Sequence, residues 1–217
     1  TVWNPGWQPT KTELDSYECR HGIGYSRFTS SKNGVKASVL SFVPLNDNCE
    51  ISQLTLTNGS SEDKKLSVFS YVEWCLWNAD DDMKNFQRNL STGEVEVQDS
   101  TIYHKTEYRE RRNHYAIYSV NTKIDGFDTS RDAFLGAYRG ADSPEAVENG
   151  KCTNSMASGW SPIASHQINV DLAAGETKTF IFVLGYIENP EDEKWESYGV
   201  INKTRAKEML AKYQTDA

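Results

Sequence analysis

The sequence predicts an all-β fold, a large two-sheet antiparallel β-sandwich with a short helix near the C-terminus. Apolar and polar residues alternate along most of the chain, which is the period of a strand with one buried face. Pairs typical of hairpin turns, such as Asn33-Gly34, separate the alternating runs. A helical period appears only after residue 203. Short strands joined by tight turns pack as antiparallel sheets face to face, and we expect about six strands in each.

The predicted elements follow the alternating runs in order. The runs predicted as strands are residues 35–43, 50–57, 66–77, 94–98, 101–105, 114–121, 133–138, 162–172 and 178–187. One break in the alternation of 50–57 indicates a β-bulge. The run 66–77 is apolar on both faces and predicts a central strand covered on both sides. Residues 204–213 place Ala206, Met209 and Tyr213 at helical spacing, and we expect this helix to begin a linker.

Composition restricts the partners of the chain. Its 217 residues carry a formal net charge of −8, with a pI near 5.1. A chain this acidic does not suit the phosphates of nucleic acid or an anionic membrane surface. No apolar run approaches the ~20 residues needed to span a bilayer. The chain also lacks a linker-like stretch, so we expect one domain that binds neither nucleic acid nor membrane.

The cysteines indicate a reducing environment. Cys19, Cys49, Cys75 and Cys152 are widely spaced and form no CxxC pair, whereas a zinc site needs clustered ligands. A chain of this size can build its core without disulfides. We therefore expect four reduced thiols, no metal site and a cytoplasmic location.

A polar segment at residues 78–93 interrupts the strand pattern directly after the most apolar run. A polar connection of this length in a compact domain is more often functional than structural. It contains Asp80, Asp81 and Asp82, which could chelate a hard cation such as calcium. The segment lacks the glycine and distal glutamate of an EF-hand loop, and like-charge runs usually face solvent. A solvated loop is therefore the favoured interpretation of the three aspartates.

Gln87 and Arg88 lie in the same segment. An amide beside a guanidinium fork can bind vicinal hydroxyls or an anion. The nearby aromatic residues Trp74, Trp77 and Phe86 would suit sugar rings. A loop arginine paired with a neighbouring aspartate explains the same residues equally well, and both alternatives remain open on residue types alone.

The remaining candidates favour structural roles. The stretch YRERRNHY at residues 108–115 predicts a salt-bridged surface turn or a subunit interface. His21, His104, His114 and His166 are predicted to be structural, because no partner residues stand near them in sequence. No GxSxG motif supports a serine nucleophile. The 31 acidic residues give no basis for selecting a catalytic pair. We therefore predict no catalytic residue in this chain.

Several long stretches resemble the N-terminal domain of the cellobiose phosphorylase family of glycoside phosphorylases. The similarity covers nearly the whole chain and is carried by WNPGW, ELDSYECRHGIGY, DDMKNFQRNLSTGEVEV, IYHKTEYRERRNHYAIYSVN, GFDTSRDAFLGAYRG, ASGWSPIASHQI and YIENPEDEKWESYGVINKTRAKEM. Strings of this length are far more specific than a short motif.

The resemblance implies a domain arrangement. Family members join an N-terminal β-sandwich, a helical linker, a catalytic (α/α)6-barrel and a small C-terminal β domain, and assemble as homodimers. Residues 1–202 would then form the sandwich without its first strands, because the family has a further segment before the matched region. Residues 203–217 would begin the linker. The barrel, with its catalytic acid and phosphate-binding groups, would be absent, so this chain alone is expected to be inactive.

The resemblance also implies an activity. Family members cleave a β-linked disaccharide with inorganic phosphate and invert the anomeric centre, so that cellobiose gives α-glucose 1-phosphate and glucose. Phosphate is a co-substrate, and no cofactor is implied. The matching Gln87 and Arg88 would reach the pocket for the leaving sugar, which favours the sugar-binding interpretation of these residues. The alternatives are a cellodextrin or chitobiose phosphorylase domain and a stand-alone carbohydrate-binding module.

Overall fold

The computed structural model describes residues 1–74, 93–106, 113–159 and 162–214. The strands in this part of the chain are β1 (Ser16–Gly22), β2 (Tyr25–Lys32), β3 (Val35–Phe42), β4 (Cys49–Asn58), β5 (Lys64–Phe69), β6 (Val72–Glu73), β7 (Gly93–Gln98), β8 (Thr101–Thr106), β9 (His114–Val120), β10 (Gly126–Ser130), β11 (Ser158–Gly159), β12 (Pro162–Leu172), β13 (Thr177–Glu188), β14 (Trp195–Ser197) and β15 (Val200–Ile201). The helices are α1 (Arg131–Leu135), α2 (Glu145–Glu148) and α3 (Thr204–Tyr213).

Two antiparallel sheets form the body of the domain. Nine strands make the large sheet, in the order β1-β2-β3-β4-β13-β9-β8-β7-β11. The small sheet has the order β10-β12-β5, and β6 also pairs with β12. The predicted two-sheet antiparallel sandwich with a C-terminal helix is confirmed. Of the fifteen described strands, nine form the large sheet, four form the small sheet, and β14 and β15 pair with each other, so the expectation of about six in each sheet is wrong.

The main core lies between the inner faces of the two sheets. It combines alternate residues of β3, β4, β8, β9 and β13 with residues of β12, and β5 packs against it. The buried members are Val35, Ala37, Leu54, Leu56, Ile102, Tyr118, Val120, Ala164, Ile168, Val170, Leu172, Phe180 and Phe182. Trp3 from the N-terminal segment also packs here. This burial of alternate residues is what the period of two predicted.

The outer face of the large sheet is covered in its middle by the C-terminal residues. Ile201 of β15 and Ala206 and Met209 of α3 are buried against β4, β8, β9 and β13. Gly185 permits the close approach, because a Cβ there would lie 3.0 Å from the Met209 sulfur. The predicted helix at residues 204–213 is confirmed, and its apolar side packs on the sandwich itself.

Two predicted features of the strands 50–57 and 66–77 are wrong. β4 pairs in continuous register with both neighbours, so it has no bulge. The described part of 66–77 forms β5, a break, and the short β6, and both strands pair only with β12. The run is apolar on its outer face because α1 covers it, and the Tyr71 ring stacks on Phe134 at 5.1 Å. Residues 75–77 lie outside the described part.

The predicted strand at 133–138 is also wrong. Residues 131–135 form helix α1, which buries Phe134 and Leu135 against the outer face of the small sheet. A short apolar run has no distinct period, so sequence alone cannot assign it to helix or strand. The first hairpin, β1–β2, was not predicted, because its exposed residues alternate little between polar and apolar.

Candidate functional site

Three segments of the chain are attached at one end of the sandwich. We call this the connector end and define it by Trp74, Gly93, Thr106, Asn113, Gly159 and Pro162, the described residues that flank 75–92, 107–112 and 160–161. Gly93 pairs with Thr106 on one side and with Gly159 on the other. Gly93, the first described residue after the segment with Gln87 and Arg88, therefore lies beside residues that flank the other two segments.

The inner side of the connector end is a stack of two rings. The Trp74 indole lies on the His104 imidazole with centroids 5.3 Å apart and an interplanar angle of 13°. Gly93 makes room for this ring, since a Cβ at that position would lie 2.1 Å from His104 Nε2. The first residue after the 75–92 segment is thus fixed against a buried ring, and a larger residue there would displace it.

His104 is a packing residue in this arrangement. Burial lowers its pKa to about 4, so the ring is neutral at physiological pH. Its Nδ1 atom and the Trp74 Nε1 atom are buried without a hydrogen-bond partner in the described part of the chain. Unpaired buried polar atoms cost free energy and are rare in cores. The prediction that His104 is structural agrees with its position.

The outer side of the connector end contains a cluster of charges that we call the brace, formed by the exposed Glu94, the half-buried Glu96 and the buried Lys105 and Lys203. Lys105 Nζ lies 3.1 Å from Glu94 and 3.2 Å from Glu96. Glu96 also accepts a hydrogen bond of 2.5 Å from Lys203 Nζ. The two lysines are only 8% and 6% exposed. Because α3 begins directly after Lys203, the brace fastens the C-terminal helix to the strands of the connector end.

Backbone groups complete the brace. The Ile201 N–H donates to Glu96 at 2.9 Å, and Lys105 Nζ donates to the Gly199 carbonyl at 2.5 Å. Burial by itself raises the pKa of Glu96, but the hydrogen bonds from Lys203, Ile201 and Lys105 outweigh it and hold the pKa below its ordinary value. Glu96 is therefore ionised at neutral pH, and each buried lysine has a carboxylate partner.

An aromatic residue lies beside the brace on the hairpin β14–β15. The Trp195 ring is 39% exposed, with Lys194 Nζ 4.5 Å and Lys105 Nζ 5.6 Å from its centroid. Tyr198 at the turn is fully exposed. Exposed aromatic faces can stack on sugar rings or enter protein interfaces. This surface borders the same strands that carry the 75–92 segment.

A buried carboxylate fixes the chain on the way to the third segment. Asp128 is fully buried on β10 and accepts hydrogen bonds from the backbone and hydroxyl groups of Thr153 and Ser155. Five such bonds satisfy a carboxylate without a counter-ion. The residues that lead to β11 and the 160–161 segment are thereby tied to the small sheet.

Many of the candidates singled out from the sequence lie outside the described residues. These are Gln87, Arg88, Cys75, the aspartates at 80–82 and the basic residues of 108–112. Cys19, Cys49 and Cys152 are free thiols. Within the described ranges, no group of three or more histidine, cysteine or acidic side chains could hold a metal ion. None of the helices described is long and apolar enough to cross a membrane.

Sequence reasoning missed the brace. The sequence contained part of the pattern, because Glu94 and Glu96 lie two residues apart on a predicted strand and therefore share a face. Lys105 lies on the next predicted strand, directly opposite Glu94. Lys203 could not be placed from sequence, since it is about a hundred positions away and reaches the cluster only through tertiary packing.

Comparison with known proteins assigns the family. Residues 1–216 match the family described as "Glycosyl hydrolase 94, supersandwich domain". The N,N'-diacetylchitobiose phosphorylase of Vibrio furnissii is 30% identical over 216 residues, which are 98% of this chain and 25% of that protein. The solabiose phosphorylase of Paenibacillus borealis is 32% identical over 196 residues, 87% of this chain and 25% of the relative. The chain thus spans about a quarter of the length of these curated relatives.

Among solved structures, a bacterial glucoamylase in complex with acarbose has a similar fold. The TM-score is 0.58 at 13% identity, over 93% of this chain and 26% of the glucoamylase chain. At this identity the likeness concerns the fold alone. The family match over almost the entire length agrees with the nine-stranded and four-stranded sheets and the C-terminal helix described above. The chain therefore belongs to the glycosyl hydrolase 94 family and is a supersandwich domain of that family.

Proposed function

We propose that the chain is the N-terminal substrate-positioning and dimerisation domain of a phosphorylase that acts on a β-linked disaccharide, with cellobiose as the substrate. One observation carries the positioning role. The segment with Gln87 and Arg88 is attached at a connector end where Gly93 is fixed against His104 and the strands are tied to α3 by the brace. A rigid attachment allows a polar segment to present side chains to a sugar held elsewhere in the full-length protein.

The proposed reaction needs one catalytic carboxylic acid. Phosphate oxygen attacks the anomeric carbon, the glycosidic bond breaks, and the acid transfers its proton to the leaving oxygen. The products are an α-sugar 1-phosphate and a free sugar, because attack from the opposite face inverts the centre. Phosphate replaces the activated water of an inverting hydrolase, so a second catalytic carboxylate is not required. The acid and the phosphate site would lie outside this chain, which requires no cofactor of its own.

In this proposal Gln87 and Arg88 bind hydroxyl groups of the leaving sugar. A glutamine amide offers both a donor and an acceptor, and a guanidinium offers a planar set of donors. These groups would orient the leaving sugar without exchanging protons with it. The expected signature is a change in sugar binding that exceeds any change in phosphate binding.

The test is the Arg88→Ala substitution in the full-length protein. In the synthetic direction the Michaelis constant for the acceptor sugar should rise by about tenfold or more, since a charge-assisted hydrogen bond is lost. The constant for the sugar phosphate should change much less. Arg27→Ala is the control, because Arg27 is exposed on β2 at the far side of the sheet. An unchanged constant for the acceptor would contradict the positioning role.

The substrate is the finer part of the proposal. Two relatives are named N,N'-diacetylchitobiose phosphorylases and one is named a solabiose phosphorylase, so a chitobiose substrate has equal support. Comparing glucose with N-acetylglucosamine as acceptor in the synthetic direction separates the two. A cytoplasmic location, a homodimer and inorganic phosphate as co-substrate belong to the same proposal.

A stand-alone carbohydrate-binding module is the second candidate. The exposed Trp195 and Tyr198 are the observation that favours it, because binding modules present aromatic platforms to oligosaccharides. Phosphate-dependent release of a sugar phosphate by the full-length protein would rule it out. Oligosaccharide binding without such turnover would rule out the phosphorylase.

A further inference from the structure

Helix α3 begins with positive charges, although the start of a helix favours negative ones. Lys203 precedes its first turn, and residues 204–207 contain no acidic side chain. The carboxylate near this end belongs to Glu96 on β7, which accepts hydrogen bonds from Lys203 Nζ at 2.5 Å and from the Ile201 N–H at 2.9 Å. The start of α3 is therefore stabilised by a carboxylate that another element of the fold supplies.

Glu96 also lies close along the chain to the segment proposed to bind the sugar. β7 is the strand after that segment, and Glu96 is three residues beyond Gly93, the first described residue of the strand. We propose that Glu96 and Lys203 are positioning residues for the acceptor sugar, because they join this strand to the start of α3. The inference rests on the proposed function and adds that sugar binding and the placement of α3 depend on each other.

Burial restricts the ways in which this link can rearrange. Lys203 is only 6% exposed, and its ammonium group also lies 3.2 Å from the Ile201 carbonyl and 5.2 Å from the centroid of the Tyr103 ring. A buried ammonium group that loses its carboxylate partner is strongly unfavourable, so α3 and β7 should move together. An exposed ion pair would not couple two elements in this way, because water replaces either partner at little cost.

Hydrogen bonds from two further strands hold the same turn. The Asn202 carbonyl accepts from the Tyr115 hydroxyl on β9 and from Asn189 Nδ2 directly after β13, both at 3.0 Å. The Asn189 carbonyl in turn accepts from Asn113 Nδ2 at 2.6 Å. Asn113 flanks residues 107–112, so the turn before α3 is bonded to residues beside two of the three segments at the connector end. A displacement of α3 should therefore be transmitted to both places.

A positioning role differs from a purely stabilising role in its effect on the folded protein. Ion pairs that only stabilised the fold would leave substrate binding by folded molecules unchanged. A positioning link would not, since a displacement of ~1 Å that arises far from the reacting atoms can lower a rate about a hundredfold. Loss of the link should therefore weaken acceptor binding in molecules that remain folded, whereas a loss of stability elsewhere in the sandwich should not.

The first test is Lys203→Met in the full-length protein. Methionine has a similar volume, and Glu96 stays paired with Lys105, so the variant should fold. In the synthetic direction the Michaelis constant for the acceptor sugar should rise about fivefold, and the constant for the sugar phosphate less than about twofold. Leu172→Ala is the control, because Leu172 is buried at the opposite end of β12 from Pro162. An unchanged acceptor constant in Lys203→Met, or an equal rise in the control, would overturn the inference.

The second test needs no substitution, because a coupling between two sites is reciprocal. The Ile201 N–H donates to Glu96, and the Lys207 N–H donates to the Lys203 carbonyl at 2.9 Å. Saturating glucose or N-acetylglucosamine, whichever the full-length protein uses as acceptor, should slow hydrogen exchange of these two amides about fivefold. The amide of Leu172 should exchange at the same rate with and without sugar. Unchanged exchange at Ile201 and Lys207 would overturn the inference even if Lys203→Met failed to fold.

The kinetic outcomes also separate this inference from the proposed function. If Arg88→Ala raises the acceptor constant and Lys203→Met does not, the coupling is wrong and the sugar contact stands. If Lys203→Met raises the constant and Arg88→Ala does not, the contact by Arg88 is wrong and the coupling stands. If neither variant changes the constant, both the positioning role and the coupling are wrong.

Discussion

The middle of the large sheet and its edge at β1 and β2 differ in what covers them. The middle strands β13, β9 and β8 are buried on both faces, by the small sheet on one side and by β15 and α3 on the other. Six of the seven residues of β9 are fully buried. The arm formed by β1 and β2 contains one fully buried residue, Ser30. Strands with the same antiparallel pairing are thus buried in one region and exposed in the other. We expect side chains to matter for stability mainly where the sheet is covered.

The charges show the same difference. On the arm, Glu18 and Arg20 face solvent, where an ion pair contributes little. At the connector end, Glu96 is paired with two lysines that are almost fully buried. A buried ion pair need not stabilise a fold relative to an apolar replacement, but removing one partner leaves an uncompensated charge. Single substitutions in the brace should therefore lower the free energy of unfolding strongly.

The largest expected effect is on the brace. Glu96→Ala should lower the free energy of unfolding by about 3–5 kcal/mol, because Lys105 and Lys203 lose their shared carboxylate. Denaturant unfolding, with hydrogen exchange of β7 and β8 amides, measures the change. Glu18→Ala, the matched substitution of a strand glutamate on the arm, should have no measurable effect. Equal losses of stability in the two variants would contradict the distinction between the covered strands and the exposed arm.

The next effect is a dependence of stability on pH. Burial lowers the pKa of His104 to about 4 and of His166 to about 3, below the ordinary value of 6.5. Both groups bind protons more readily in the unfolded chain, so their stabilisation is complete above pH 6.5 and is lost as pH falls towards 4 and 3. The slope should approach about 1.4 kcal/mol per pH unit for each residue.

Unfolding titrations between pH 7 and pH 4 test this dependence. A variant with both His104→Asn and His166→Asn should unfold with a flatter dependence on pH, even though it is less stable at neutral pH. A slope that is the same in the variant and the original protein would show that other groups govern acid stability.

The smallest of the three expected effects is the loss of stability when Gly93 is replaced by alanine. Gly93→Ala should destabilise by about 1–3 kcal/mol, because its Cβ would lie 2.1 Å from the His104 ring, which is buried and stacked on Trp74. Gly22→Ala on the arm creates a clash of the same 2.1 Å with the Tyr25 ring. The Tyr25 side chain is exposed and can rotate away, so this control should be close to neutral. Thermal unfolding measures both variants, and a lower Tm is expected for Gly93→Ala but not for Gly22→Ala.

The sequence predicted most of the strands correctly but few of the contacts between distant parts of the chain. Runs such as 101–105 and 162–172 were predicted correctly as strands, and most of their residues are buried. The arm was missed since neither of its faces is covered, which removes the alternation that identifies a strand. The helix at Arg131–Leu135 was missed because five residues are too few to display a period.

The candidate site shows the same limit. Gln87 and Arg88 were selected through residue chemistry and the family resemblance, and they remain a prediction. The attachment of their segment beside 107–112 and 160–161 follows from the pairing of Gly93 with Thr106 and Gly159. No spacing in the sequence indicates that pairing, because Gly159 is far along the chain and β11 has only two residues.

By itself the sequence determined the period of two, the hairpin turns, the C-terminal helix and the family, since these depend on neighbouring residues or on long matching strings. The tertiary structure alone decided which strands are covered, how the two sheets divide, and which charges are buried together. Coverage depends on contacts between residues far apart in the chain, and the free energy of a charge or a ring depends on whether water reaches it. For this reason, replacing Glu96 should lower the free energy of unfolding far more than replacing Glu18, although both are glutamates on strands.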